Sequence, residues 1–182
     1  MVQTTLIILT RNEITGLTSL LEKIPFRKVD EYFLVDYNST DGTVEFARKH
    51  GIPVVKQTKP GRAEAFRIGH RNAHGKYLIF FSPDGNENPN DIPKLISSLS
   101  SGADMAIASR FLPTSHNEED EQIFKWRAWA NIGLTVLANI CFNRSQFVSD
   151  SINGYRAITK KAFERLHQPI HSQHLYQVQI SH

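Results

Sequence analysis

Cysteine is almost missing from this chain. Cys141 is the only one among 182 residues, so no internal disulfide can form and no cysteine-built zinc site exists. A reducing compartment fits that usage. Long apolar runs are missing too. No stretch approaches the roughly 18 apolar residues that a spanning helix needs. The nearest candidate, Trp126 to Phe142, is interrupted by Arg127, Asn131 and Asn139. The N-terminus has no basic segment before its first apolar run and no small-residue cleavage site, so no signal peptide is expected. Together these absences point to a cytoplasmic protein.

A strong charge of one sign is also absent. Lys and Arg number 21 and Asp and Glu 18, a net +3, with a sequence pI near 9.0. That is too mild for a nucleic-acid partner, yet it tolerates pyrophosphates or the inner face of an acidic membrane. Internal repeats, low-complexity tracts and an inter-domain linker are lacking. The eight histidines show no metal-ligand spacing on a secure helix and are expected at the surface. No glycine-rich loop follows the first apolar run, where Thr10-Arg11-Asn12-Glu13 stands instead. An NAD enzyme needs G-x-G-x-x-G there, and a sugar-phosphate nucleotidyltransferase a glycine-rich basic loop, so both are set aside.

What is present is an ordinary globular balance, 40% hydrophobic and 21% charged. Short β-rich runs alternate with helical patterns. Strands are expected at Thr4 to Leu9, Tyr32 to Val35, Val54-Val55, Tyr77 to Phe81 and Met105 to Ala108. Helices are expected at Glu13 to Lys23, Asp41 to His50, Pro60 to His74 and Asp91 to Leu99. Ser39 or Thr40 is the expected cap of the second helix, and Asn88 or Asn90 that of the fourth. Gly51, Gly75 and Gly102 are the expected stops. Such alternation predicts βαβ units and a mostly parallel, Rossmann-like sheet flanked by helices in a single α/β domain. Further on, Pro113 to Glu121 is polar and acidic. Gln122 to Phe142 is a long amphipathic helix with the stripe Arg127, Asn131, Thr135 and Asn139. Its apolar face is expected to cover the sheet, with Trp126 and Trp129 keeping peripheral membrane contact as the alternative. Tyr155 to Ile158 is a strand, Lys160 to Leu166 a helix capped by Thr159, and Leu175 to Ile180 a final strand. One domain is expected, its first half, 1–111, alternating strand and helix and its second half, 112–182, reading differently.

Ligands of open α/β sheets bind beyond the carboxyl ends of the strands. Asp36 ends the second strand, and its carboxylate can accept from a base N–H or a ribose hydroxyl. The following Tyr37-Asn38-Ser39-Thr40-Asp41-Gly42 can equally be a plain capped turn. Gly61 allows close backbone approach, and Arg62 opens a helix where anions bind, or is simply an exposed cation. The fourth strand ends in Ser82-Pro83-Asp84-Gly85-Asn86. Asp84 and Asn86 offer two oxygens to a hard cation, which would leave places for phosphates; the alternative is an Asp-Gly turn. Arg110, Arg127 and Arg156 are guanidinium candidates for phosphate, each of which can also be a solvated surface cation.

Taken in order, these pieces resemble glycosyltransferase family 2, the GT-A fold, and more narrowly the dolichol- or polyprenyl-phosphate sugar synthases. The resemblance runs through Thr10 to Glu13, Val35 to Thr43 (V-D-D-x-S-x-D-G-T in the family), Gly61 to Ala65, Ala73 to Asp84, Ser109 to Phe111, Arg127 to Asn131 and Asp150 to Arg156. It covers nearly the whole chain, and the specificity lies in order and spacing. It implies a UDP- or GDP-sugar donor and a bound Mg2+ or Mn2+. Asp36 becomes a nucleoside contact, within a donor-binding set of Thr10, Asn12, Glu13, Asn38, Gly61, Arg62 and Ser82. Asp84 matches the second Asp of D-x-D, and Asn86 stands where the synthases use a Gln ligand. Arg110, Arg127 and Asn131 match positions that hold an acceptor phosphate, and Arg156 lies in the matching G-Y-R segment. The chain departs from the pattern at Tyr37 and Ser82, where the family has Asp. Arg62 and Ala63 replace Lys and Gly, and Gln177 and Gln179 replace Glu. It also stops where family members continue.

The implied reaction is inverting sugar transfer to a lipid phosphate or to a saccharide hydroxyl. A phosphate acceptor is already anionic and needs no base, whereas a hydroxyl requires one. Asp150 is the candidate, with an acidic residue of Glu118 to Glu121 behind it. The alternative from another class is a non-catalytic nucleotide-sugar-binding module, suggested by the replaced carboxylates and the short C-terminus.

Overall fold

The computed structural model describes residues 2–109, 154–165 and 177–181. Seven strands form one sheet: β1 (Thr4–Thr10), β2 (Glu31–Asp36), β3 (Val54–Lys56), β4 (Tyr77–Phe81), β5 (Met105–Ser109), β6 (Arg156–Thr159) and β7 (Gln177–Ser181). Their order is β3-β2-β1-β4-β6-β5-β7. All run parallel except β6, which lies antiparallel between β4 and β5, pairing Phe80 and Ile107 on either side of Arg156. The helices are α1 (Ile14–Leu20), α2 (Thr43–Lys49), α3 (Arg62–Asn72), α4 (Ile92–Ser100) and α5 (Lys160–Arg165).

The period-2 geometry of strands sorts the apolar residues into two cores. Leu6, Ile8, Leu34, Ile79 and Phe81 face one side, against Leu17 of α1, Ala47 of α2 and Leu95 of α4. Ile7, Phe33, Val35, Leu78 and Phe80 face the other, against Ala65 and Ile68 of α3 and Phe163 of α5. Both faces of the sheet are covered, so its central strands are apolar without alternation. Each fully buried Leu, Ile or Phe contributes about 1.5–3 kcal/mol.

Strand β4 occupies the residues expected of it; the others differ by one or two residues at an end. Three cap expectations change. Helix α2 begins after Gly42, at φ +94°, and Asp41 Oδ1 accepts from Thr43 N–H at 3.0 Å. Ser39 is drawn instead to Asp36 and Asn12. Asn88 caps a short 3-10 turn, Pro89–Asp91, by accepting from Asn90 N–H at 3.0 Å, and α4 follows from there. Helix α3 ends at Asn72, before extended Ala73. Gly75 is therefore no helix stop; it lets the chain pass Thr5, whose backbone nitrogen is 2.7 Å from where a Cβ would sit. Thr159 does cap α5, its Oγ1 accepting from Ala162 N–H at 3.1 Å. Among the described residues no helix is long and apolar enough to cross a membrane. The helix expected over Gln122 to Phe142 and the acidic run from Pro113 lie outside them.

Candidate functional site

The parallel strands β1, β2, β3 and β4 deliver four loops to one end of the sheet. The first two are laced together. Asn12, at φ +58°, donates its N–H to Ser39 Oγ and accepts from Thr40 N–H on Oδ1, both at 2.8 Å. Glu13 N–H donates to Thr43 Oγ1, and Ile14 N–H to Asp41 Oδ2, each at 3.0 Å. Asn38 also holds a positive φ, +49°. Asparagine tolerates that left-handed backbone better than most side chains, which suits both tight turns.

Asp36 is the bracket of this lacing. It is only 4% exposed, and its carboxylate accepts from Thr10 Oγ1 at 3.1 Å, from Ser39 N–H at 3.0 Å and from Ser39 Oγ. Its backbone carbonyl accepts from Gln57 N–H at 2.7 Å. Gln57, buried one residue past β3, donates its side-chain amide to the carbonyls of Lys59 and Gly61 at 2.6 and 2.9 Å. That amide shapes the approach to α3, with Gly61 at φ +110°.

The fourth loop is held from below. Ser82 N–H donates to buried Glu87 Oε2 at 2.6 Å, and Asp84 Oδ1 accepts from Asn86 N–H at 3.0 Å. Gly16 of α1 packs on this turn so closely that a Cβ would fall 1.7 Å from the Pro83 carbonyl oxygen. From the far part of the chain, buried Tyr155 donates its hydroxyl to Asn88 O at 2.7 Å and sets its ring edge-on to Phe81 at 5.7 Å. Burial pushes the Tyr155 phenol far above its ordinary pKa, and the charges of Glu87 and Asp91 push the same way.

Between the loops lies a cavity of about 250 Å³. Thr10, Arg11 and Glu13 line it from β1, Tyr37 from β2, Gln57, Gly61 and Arg62 from the approach to α3, and Ser82 and Asp84 from β4. Arg11 lies over the Tyr37 ring, 5.2 Å from its centroid. The lining thus carries two cations, Arg11 and Arg62, two carboxylates, Glu13 and Asp84, and the start of the 11-residue α3. Burial raises the Glu13 carboxyl above its ordinary value, and the negative charges of Asp84 and Asp41 raise it further.

Six of the residues singled out in the sequence meet on this cavity: Thr10, Glu13, Gly61, Arg62, Ser82 and Asp84. Asp36, Asn12 and Asn38 shape its loops without lining it. Asn86 is exposed and serves the Asp84 turn through its backbone. Arg156 lies in β6 with its guanidinium 5.9 Å from the Phe66 ring centroid, also off the lining. Arg110, Arg127, Asn131 and Asp150 lie outside the described residues. Sequence reasoning passed over Gln57, Glu87 and Tyr155. Of these, Gln57 carried a usable signal, since it follows a strand directly, as Ser82 does.

Among the described residues no three His, Cys, Asp or Glu side chains converge on one point. The donor set is two carboxylates, Glu13 and Asp84, close enough for one to perturb the other. That fits a hard dication, since Mg2+ is commonly held by one or two carboxylates and completed by phosphates and water.

The sequence pattern of glycosyl transferase family 2 matches residues 5–166. An uncharacterised glycosyltransferase of Mycobacterium tuberculosis is 35% identical over 101 residues, 54% of this chain and 44% of that protein. A dolichol-phosphate mannosyltransferase of Pyrococcus furiosus is 27% identical over 142 residues, 74% of this chain and 39% of its own length. Polyprenol monophosphomannose synthase of Mycolicibacterium smegmatis is 26% identical over 178 residues, 90% and 64% respectively. The chain therefore spans 39% to 64% of the length of these three relatives. In fold it resembles glucosyl-3-phosphoglycerate synthase from M. tuberculosis in its complex with Mn2+ and UDP-glucose. The TM-score is 0.72 at 18% identity, over 99% of this chain and 69% of that one. A mostly parallel sheet with helices on both faces, the loops at its carboxyl end and a match running from residue 5 to residue 166 agree: this chain belongs to glycosyltransferase family 2.

Proposed function

We propose that the chain transfers a sugar from a nucleoside diphosphate sugar, with the donor nucleotide seated in the cavity at the ends of β1, β2 and β4. The observation that carries this reading is that Arg62 lines the same cavity as Asp84 and Glu13. A diphosphate needs cationic groups, and a dication accompanying it would need oxygen donors close by. Arg62 offers a fixed fork of N–H donors to phosphate oxygens, and α3 adds the positive end of its dipole. Asp84 and Glu13 would hold Mg2+ or Mn2+, which when bound neutralises charge developing on the departing diphosphate. The UDP-glucose and Mn2+ complexes of the structural relative support the donor and metal classes.

In the transfer, an acceptor oxygen bonds to the anomeric carbon as the bond from that carbon to the diphosphate oxygen breaks, inverting the centre. A polyprenyl or dolichyl phosphate is the acceptor we favour, by analogy with the mannosyltransferase and mannose synthase relatives. Its oxygen is anionic near neutral pH, so positioning and charge compensation suffice. Arg110, Arg127 and Asn131 would hold that phosphate, and the reaction would take place at the cytoplasmic face of a membrane. For a saccharide hydroxyl, Asp150 would act as base.

A second reading, a binding module with little or no turnover, is favoured by Ser82. A hydroxyl stands where a carboxylate would add a third acidic donor to Glu13 and Asp84. Calorimetry with UDP- and GDP-sugars, with and without Mn2+, followed by a transfer assay on polyprenyl phosphate, separates the two. Metal-dependent binding that is lost in Asp84→Ala, together with turnover, supports the enzyme. Binding without turnover on lipid phosphate or saccharide supports the module. Binding indifferent to Asp84→Ala removes the site assignment.

A further inference from the structure

We infer that Gly154 is the seat of the Arg62 guanidinium, and so a positioning residue for this cation of the cavity lining. The inference rests on reading that cavity as the seat of the donor nucleotide.

Arg62 opens α3 and is exposed, and a long arginine side chain left unsupported would sample many rotamers. Gly154, buried, arrives from the other end of the sequence, just before Tyr155 and the first residue of β6. Its place is fixed on that side: Tyr155 is clamped to Asn88 O, and β6 is paired on both edges. A Cβ built on Gly154 would lie 2.4 Å from Arg62 Nη1, 3.0 Å from Cζ and 3.4 Å from Nε. All three nearest atoms belong to one guanidinium group, which is therefore laid across the bare glycine backbone.

Two consequences follow. The obstacle to a side chain at position 154 is the far end of a flexible residue rather than backbone, so a methyl there displaces the guanidinium before it strains the sheet. The contact also joins the lining of the proposed donor site to the segment around β6, from the far part of the chain, so the guanidinium takes its place only when that segment is docked. Preorganised donors bind anions better than donors that must first be ordered.

The test compares wild type, Gly154→Ala, Arg62→Ala and the double variant. The readouts are UDP and GDP affinity in Mn2+ by calorimetry, thermal melting, and the NMR resonance of Arg62 Nε–H, identified by its loss in Arg62→Ala. Gly154→Ala should weaken nucleotide binding about tenfold, a loss of the size expected for one charge-assisted contact. It should shift the Arg62 resonance and leave the melting temperature near that of wild type. The double variant should bind no more weakly than Arg62→Ala alone, because both changes remove one interaction. A Gly154→Ala protein with wild-type affinity, or losses that add in full, would overturn the inference. If Gly154→Ala melts early, Arg62→Ala in the same chain must restore it; failure to do so means that the methyl meets something else, and the inference falls. If wild type binds neither nucleotide, the reading of the cavity fails by itself. The seating of Arg62 is then decided by the resonance, and an unmoved signal overturns it.

Discussion

Ser82 and Glu87 close a ring across the turn that carries Asp84: the Ser82 N–H donates to Glu87 Oε2 at 2.6 Å, beneath the surface. An exposed carboxylate is thereby held on a buried frame. Glu87→Ala leaves a buried N–H without its acceptor, which costs about 1–3 kcal/mol. Urea denaturation should show that loss, and Mn2+-dependent nucleotide affinity should fall with it. Glu87→Gln retains an acceptor oxygen and should recover most of both.

Gly16→Ala tests the same turn from the helix side. In an exposed helix interior, alanine is more favourable than glycine by about 1 kcal/mol. Here the new methyl would stand 1.7 Å from the Pro83 carbonyl oxygen, a backbone atom with nowhere to swing. The sign should reverse, with destabilisation of about 1–3 kcal/mol from overpacking. A stabilised Gly16→Ala protein, by thermal melting, would show that α1 and the Asp84 turn are not in that contact.

Glu13 should make the site pH-sensitive. Burial, then the charges of Asp84 and Asp41, raise its carboxyl in the folded state. The folded protein therefore holds a proton more tightly than the unfolded chain. The resulting stability is present below the ordinary glutamate value and is lost as pH rises through the raised one. In metal-free protein, melting temperature should decline across that window, and Glu13→Gln should flatten the decline. A bound dication favours the ionised form, so Mn2+ affinity should weaken as pH falls through the same range.

Tyr155→Phe removes one hydroxyl and its bond to Asn88 O while keeping the ring against Phe81. The expected loss is about 1 kcal/mol, measured by denaturant titration. If the clamp also steadies the Asp84 loop, hydrogen exchange at Asn86 and Glu87 should quicken in the variant.

The strands were legible because each is a short apolar run bounded by turn residues, and Tyr77 to Phe81 was legible to the residue. The cavity was legible where chemistry sits directly at a strand end or helix start, as at Thr10, Arg62 and Asp84. Helix caps were less so. Asp36, Asn38, Ser39, Thr40 and Asp41 are all competent cap formers, and only the partner loop decides which of them turns inward. Asp36 looked free to meet a ligand, yet Thr10 and Ser39 from its own surroundings occupy its oxygens. The contact of Gly154 with Arg62 spans most of the sequence and leaves no local pattern, because a glycine chosen for what lies on top of it resembles any other glycine.

The antiparallel β6 has a consequence for how the molecule is made. Chain synthesis delivers β4 and β5 long before residues 156–159, yet these are the residues that join the two strands. Until they emerge from the ribosome, the edges of β4 and β5 that β6 covers lack their partner, and the first 111 residues hold only part of the sheet. Expressed alone, that stretch should recruit chaperones or self-associate, and supplying the remainder as a separate polypeptide should rescue it. Such fragment complementation would measure how far one late-arriving strand governs the cooperativity of the whole sheet.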